Sequence, residues 1–185
     1  ENKFEIVQSM IASKLNKTKR IYARKCHIRD IDLQTANQFE QANHLQGSAI
    51  SSVRYGLFRD DDLVAVMTFS KSRFNKKYDW ELIRFCSKAG HTVVGGANKL
   101  FKHFLKNNSG SVISYANKRF SCGKLYGKLG FKLENSSSPN YWYVKDGLIV
   151  YSRNQCQKHK LSLLLGGQFD SGLSERENML KAGYH

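Results

Sequence analysis

Six consecutive residues, Thr92-Val93-Val94-Gly95-Gly96-Ala97, lead out of a strand pattern and into a helix pattern with no carboxylate nearby. At a helix start the first backbone N–H groups lack intrahelical acceptors, and the helix dipole adds positive character there. Glycine lets the backbone come close to a bound anion. Val94, Gly95, Gly96 and Ala97 are therefore expected to form a phosphate cradle, although the same spacing serves equally for a plain tight turn. Four side chains are further candidates for chemistry. His44 offers a base or ligand, or caps a loop. Glu81, on the strand before the glycine turn, offers a carboxylate or a structural partner for Arg84. Asn117 cannot act as a base. Tyr126 carries a phenol and can equally pack one face of a helix.

The other chemistry written in the chain is charge. Thirty Lys and Arg stand against 15 Asp and Glu over 185 residues, a formal net charge of +15. Such a balance points to a polyanionic partner, most often nucleic acid. Its distribution sharpens the point: no acidic residue lies between Glu81 and Glu134. The expected DNA-contacting set is Lys71, Arg73, Lys76, Lys77, Lys99, Lys102, Lys118, Arg119, Lys124 and Lys128. Phe74, Phe120, Tyr141, Trp142 and Tyr143 are interleaved with several of these, a pattern suited to phosphate contact beside base or sugar packing. Cys26, Cys86, Cys122 and Cys156 form no C-x-x-C pair, which speaks against a zinc ribbon, so no metal site is expected.

The positioning elements follow from periodicity. A helix is expected over 2–15, a strand over 21–29, and a helix over 33–43 capped by Asp32. A hairpin over 53–69 turns at Asp60–Asp62, and another strand covers 79–87. The glycine turn opens a helix from Ala97 to Lys106. A strand at 112–116, a helix at 123–128 ended by Gly130, and strands at 131–133 and 141–150 follow, the last turning at Lys145-Asp146-Gly147. A helix over 155–165 precedes a polar tail, 166–185, without a core signature. The order β-α-β-β-β-α-β-α-β-β is a mixed α/β arrangement. No run approaches the roughly 20 apolar residues of a membrane span.

The run Leu125-Tyr126-Gly127-Lys128-Leu129-Gly130-Phe131, taken with that order of elements, resembles the last third of the GNAT N-acyltransferase superfamily. The resemblance implies a mixed, mostly antiparallel sheet flanked by helices over 20–165, after a helix or linker at 1–19 and before the tail. It implies that the turn at 92–97 holds the pyrophosphate of coenzyme A, and that Tyr126 protonates a departing thiolate. Gly95 and Ala97 fit the family's turn, while Thr92 stands where Gln or Arg is usual.

A narrower resemblance covers residues 4–180. The strings RKCHIRDI, NHLQG, YDWELIRFC, VVGGANKLFKHF, ISYANKRFS, GKLYGKLGF and PNYWYVK are similar to the C-terminal region of phage-encoded, homing-type DNA endonucleases. That resemblance implies a DNA-binding module in the cytoplasm of a phage's host cell. The parent protein would then carry a nuclease domain upstream, and this module would have no cofactor. A looser likeness to Mom-type phage DNA-modification proteins aligns His44 and Ser114-Tyr115-Ala116 with that family's motifs, with Asn117 in place of an acid. In the alternative reading, an active transferase would use acetyl-CoA or a related acyl-CoA, with His44, Glu81, Asn117 and Tyr126 around the reacting groups.

Overall fold

The computed structural model describes residues 3–185, beginning with helix α1 (Phe4–Lys14), whose one buried residue is Ile6. Strand β1 (Lys19–Tyr22) and strand β2 (His27–Asp30) follow, separated by a 3-10 turn at Ala23–Lys25. Next come α2 (Leu33–Asn43), β3 (Val53–Arg59), β4 (Asp62–Lys71), β5 (Trp80–Ser87), β6 (His91–Val94), α3 (Gly96–Asn107), β7 (Val112–Ser114) and α4 (Lys124–Lys128). The chain closes with β8 (Trp142–Lys145), β9 (Ile149–Ser152), α5 (Lys158–Leu165) and α6 (Glu175–Lys181). Among the described residues this is a mixed α/β fold with mostly antiparallel sheets and flanking helices. It divides into two compact units, Glu1–Lys132 and Leu133–His185.

The first unit is built on a five-stranded sheet in the order β2-β3-β4-β5-β7, antiparallel except for the parallel pair β5–β7. Central β4 is buried from Val64 to Phe69, because both its faces are covered. Phe69 stacks on Phe104 of α3 with ring centroids 3.7 Å apart. Thr68, on the opposite face, donates its hydroxyl to Glu40 of α2. A strand covered on both sides reads as a continuous apolar run. Asp32 starts α2 as expected, its carboxylate accepting from the Thr35 amide at 2.7 Å.

Four expectations change. The strand expected over 21–29 breaks at Ala23–Lys25. The Cys26 amide donates to the Ala23 carbonyl there, so β1 leaves the sheet and pairs in parallel with β6, while β2 pairs with β3. Strand β6 adds an element that the periodicity does not mark. No strand forms at 131–133: Phe131 instead packs on Phe101 and Tyr126, and a Ser- and Asn-rich stretch follows it. The tail has a core after all. In the second unit Met179, Ala182 and Tyr184 are buried with Tyr143, Cys156 and Leu161, and Ser174 and Glu177 form a capping box on α6. The β8–β9 hairpin turns through Asp146 (φ 52°) and Gly147 (φ 66°), the two positive values a type I′ turn requires. The division between the two compact units falls after Lys132.

Candidate nucleic-acid interface

Two loops of the first unit meet beside β5. One joins β4 to β5 (72–79); the other follows β7 (115–123). They meet at Phe74 and Tyr115, whose rings lie edge to face with centroids 6.0 Å apart and planes at 84°. Both rings are exposed, Phe74 by 76% and Tyr115 by 52%.

The first loop is held rigidly. Arg73 donates from Nη2 to Glu81 Oε1 at 2.7 Å and from Nε to Glu81 Oε2 at 3.2 Å. Glu81 is buried, and the charge-assisted pair pushes the Arg73 guanidinium pKa further up. This corrects the expectation that Glu81 pairs with Arg84, whose Nε instead donates to the Gly47 carbonyl. The spacing was misleading because the partner comes from the preceding loop. The Ser72 hydroxyl donates to the Asn75 carbonyl, Lys76 Nζ donates to the Ser72 carbonyl, and the Asn75 side chain accepts from the Lys77 amide. Asp79 is occupied by the amide and hydroxyl of Ser111, which hold its carboxyl below the usual range.

The second loop is organised by Asn117. Its side chain accepts from the Arg119 amide at 3.0 Å, and its carbonyl accepts from the amides of Phe120 and Ser121. The residue that resemblance set among candidate catalytic groups is thus an Asx-turn former. Arg119 lies over the Phe120 ring at 5.6 Å, and Arg73 over the Phe74 ring at 5.4 Å. Lys71, at the end of β4, sits 3.8 Å from the centroid of the Trp80 ring. Lys71, Arg73, Lys76, Lys77, Lys118 and Arg119 thus lie at the end of β4 and on the two loops that carry the exposed rings. Lys102 on α3, and Lys124 and Lys128 on α4, are exposed on helices joined through Phe101, Phe131 and Tyr126. Lys99 does not belong to this set. Its ammonium donates to the carbonyl of Ala23 at 2.9 Å and to that of Cys26, carbonyls at the break between β1 and β2.

At the glycine turn, Gly95 adopts φ 79° and caps α3, with Val94 exposed and Gly96 and Ala97 buried. A Cβ on Gly96 would lie 2.9 Å from Val93 Cγ1, so this position has no room for a side chain. The turn keeps its backbone N–H groups, but the side chains around it are committed elsewhere. Thr92 Oγ1 is 2.6 Å from Thr18 Oγ1 and 3.3 Å from Ser13 Oγ, and Lys99 faces carbonyls. Thr92, at the position where the resembled family carries a long polar arm, and Lys99 are thus held by protein partners.

His44 closes α2. Its amide donates to the Glu40 carbonyl and its Nδ1 accepts from the Gln46 amide at 3.2 Å. Burial, then the charges of Arg84 and Lys3, push its pKa down to about 4, so the imidazole is neutral near pH 7. Glu40 is a carboxylate that sequence reasoning missed. It is fully buried, accepts from the Thr68 hydroxyl at 2.7 Å and from the Ala49 amide at 3.1 Å, and burial pushes its pKa up. A signal was present, since Glu40 lies four residues after buried Ala36 and so shares its helix face. Tyr126 packs edge to face on Phe131 at 5.7 Å and against the main core. His44, Glu81, Asn117 and Tyr126 thus have separate partners and form no common hydrogen-bonded constellation among the described residues.

Among the described residues no group of three His, Cys, Asp or Glu side chains gathers as metal ligands would, and no helix is long and apolar enough to cross a membrane. The sequence matches no family model and no curated protein.

Proposed function

We propose that this chain is a DNA-binding module that grips phosphates through the basic loops at 71–78 and 115–121. The observation that carries the reading is the meeting of two Lys- and Arg-bearing loops around exposed aromatic rings, with the nearby carboxylates of Glu81 and Asp79 already committed to protein partners. Phosphate affinity needs cations gathered on one surface, and positioning needs a rigid support. The two loops carry Lys and Arg side chains, and the Arg73–Glu81 pair and the Asn117 turn hold them. In the setting suggested by the resemblance to homing-type endonucleases, the module would anchor a nuclease domain on its target.

The alternative, an acyl-CoA-dependent transferase, draws its support from the glycine geometry at Gly95 and Gly96 and from the resemblance at 125–131. It is weakened by the commitments of Thr92 and Lys99 and by the dispersal of His44, Glu81, Asn117 and Tyr126. Thermal shift separates the two. A ligand at about 100 times its Kd stabilises a fold by about 2.7 kcal/mol, a shift of several degrees. Short DNA is expected to raise Tm by that order and acetyl-CoA to leave it unchanged. A rise with acetyl-CoA that disappears in Gly96→Asp, with none from DNA, would reverse the assignment.

A further inference from the structure

We infer that Phe74 and Tyr115 form a stacking platform for an unpaired base, so that the ligand of this surface is DNA with a single-stranded stretch rather than an uninterrupted duplex. This rests on the DNA-binding reading and deepens it. Single exposed apolar side chains are ordinary on protein surfaces. Two aromatic rings from separate loops, touching each other while 76% and 52% exposed, are a different matter, because the contact fixes both in place without covering them. An edge-to-face pair uses an edge of one ring and a face of the other, which leaves further ring face open.

The support beneath the rings is firm. Arg73, next to Phe74, is tied through two nitrogens to buried Glu81, and the Ser72–Asn75 and Lys76–Ser72 hydrogen bonds close the loop on itself. The Asn117 turn fixes the chain two residues beyond Tyr115. A surface ordered in advance loses little freedom on binding. In a duplex, base faces are covered by neighbouring bases and only their edges are reachable, so a ring face can stack only on a base outside the helix. Lys76, Lys77, Lys118 and Arg119, on the same two loops, would carry the phosphates of that strand.

The test is titration of the full chain, by fluorescence anisotropy at one fixed salt concentration, with a labelled 15-nucleotide single strand and with the duplex of the same sequence. The single strand is expected to bind about tenfold tighter, the scale of one base–aromatic stack. Phe74→Leu and, separately, Tyr115→Leu should each weaken the single strand about tenfold and leave the duplex within twofold. A strand carrying 2-aminopurine should show quenching with the parent protein and lose it in Phe74→Leu. Equal affinity for both forms, or variants that weaken both equally or neither, would overturn the platform while leaving DNA binding intact. Failure of both DNAs to bind at low salt would overturn the proposed function as well.

Discussion

His44 and Glu40 sit four residues apart at the end of α2 with opposite electrostatic consequences. The folded-state pKa of His44 is lowered from 6.5 to about 4, so as pH falls the unfolded chain takes up that proton first. Its contribution is complete above about pH 6.5 and is lost progressively down to about pH 4, about 3 kcal/mol at full extent. Glu40 has its folded-state pKa raised above 4.5, so the folded state takes up this proton first, and acidification through that range favours folding. The two effects oppose each other where their ranges overlap. His44→Asn keeps an acceptor for the Gln46 amide and removes one titration. Its Tm, followed from pH 7 to pH 4, is expected to fall less than that of the parent. A variant curve parallel to the parent curve would contradict the assignment of that slope to His44.

At the scale of elements, the glycine turn is a tight junction of the first unit. Gly96→Ala would bring a Cβ to 2.9 Å from Val93 Cγ1, and a short β-branched side chain cannot swing clear as a long one could. Overpacking of this kind costs about 1–3 kcal/mol, part of it returned by alanine's helix preference of about 1 kcal/mol over glycine. Calorimetry should find Tm lowered by a few degrees, and an unchanged Tm would mean that the turn relaxes freely. The hairpin β3–β4, strand β5 and the cap at Asp32 were legible in the sequence because each is specified by alternation, by turn residues or by a cap within a few positions. The break between β1 and β2 was not, since its cause is the pairing of β1 with β6, some seventy residues away. The α6 core was hidden for a related reason: Met179, Ala182 and Tyr184 are scattered among polar residues and become a core only against Tyr143, Cys156 and Leu161. At the candidate site, the basic residues and Phe74 could be named from composition, whereas Tyr115 stood out only through its likeness to a family motif. That Phe74 meets Tyr115 and that Arg73 takes Glu81 from Arg84 are tertiary facts with no local signature.

For the whole molecule the governing quantity is a formal net charge of +15, concentrated where carboxylates are absent from 82 to 133. Charge alone attracts any polyanion; what the fold adds is a surface on which part of that charge is displayed beside exposed rings. Lys99 shows the distinction, since it counts toward the net charge yet is tied to the carbonyls of Ala23 and Cys26. The most direct test is therefore the salt dependence of DNA binding, measured by anisotropy on a labelled duplex from about 50 to 300 mM salt. Each phosphate neutralised contributes about −0.9 to the slope of log K against log salt. If five of the loop cations engage phosphates, the slope lies near −4.5, and Lys77→Gln and Arg119→Gln together should reduce its magnitude by about 1.8 while Tm stays near that of the parent. Absence of binding by both the duplex and the single strand at the lowest salt, or a duplex slope unchanged by the double substitution, would contradict the account.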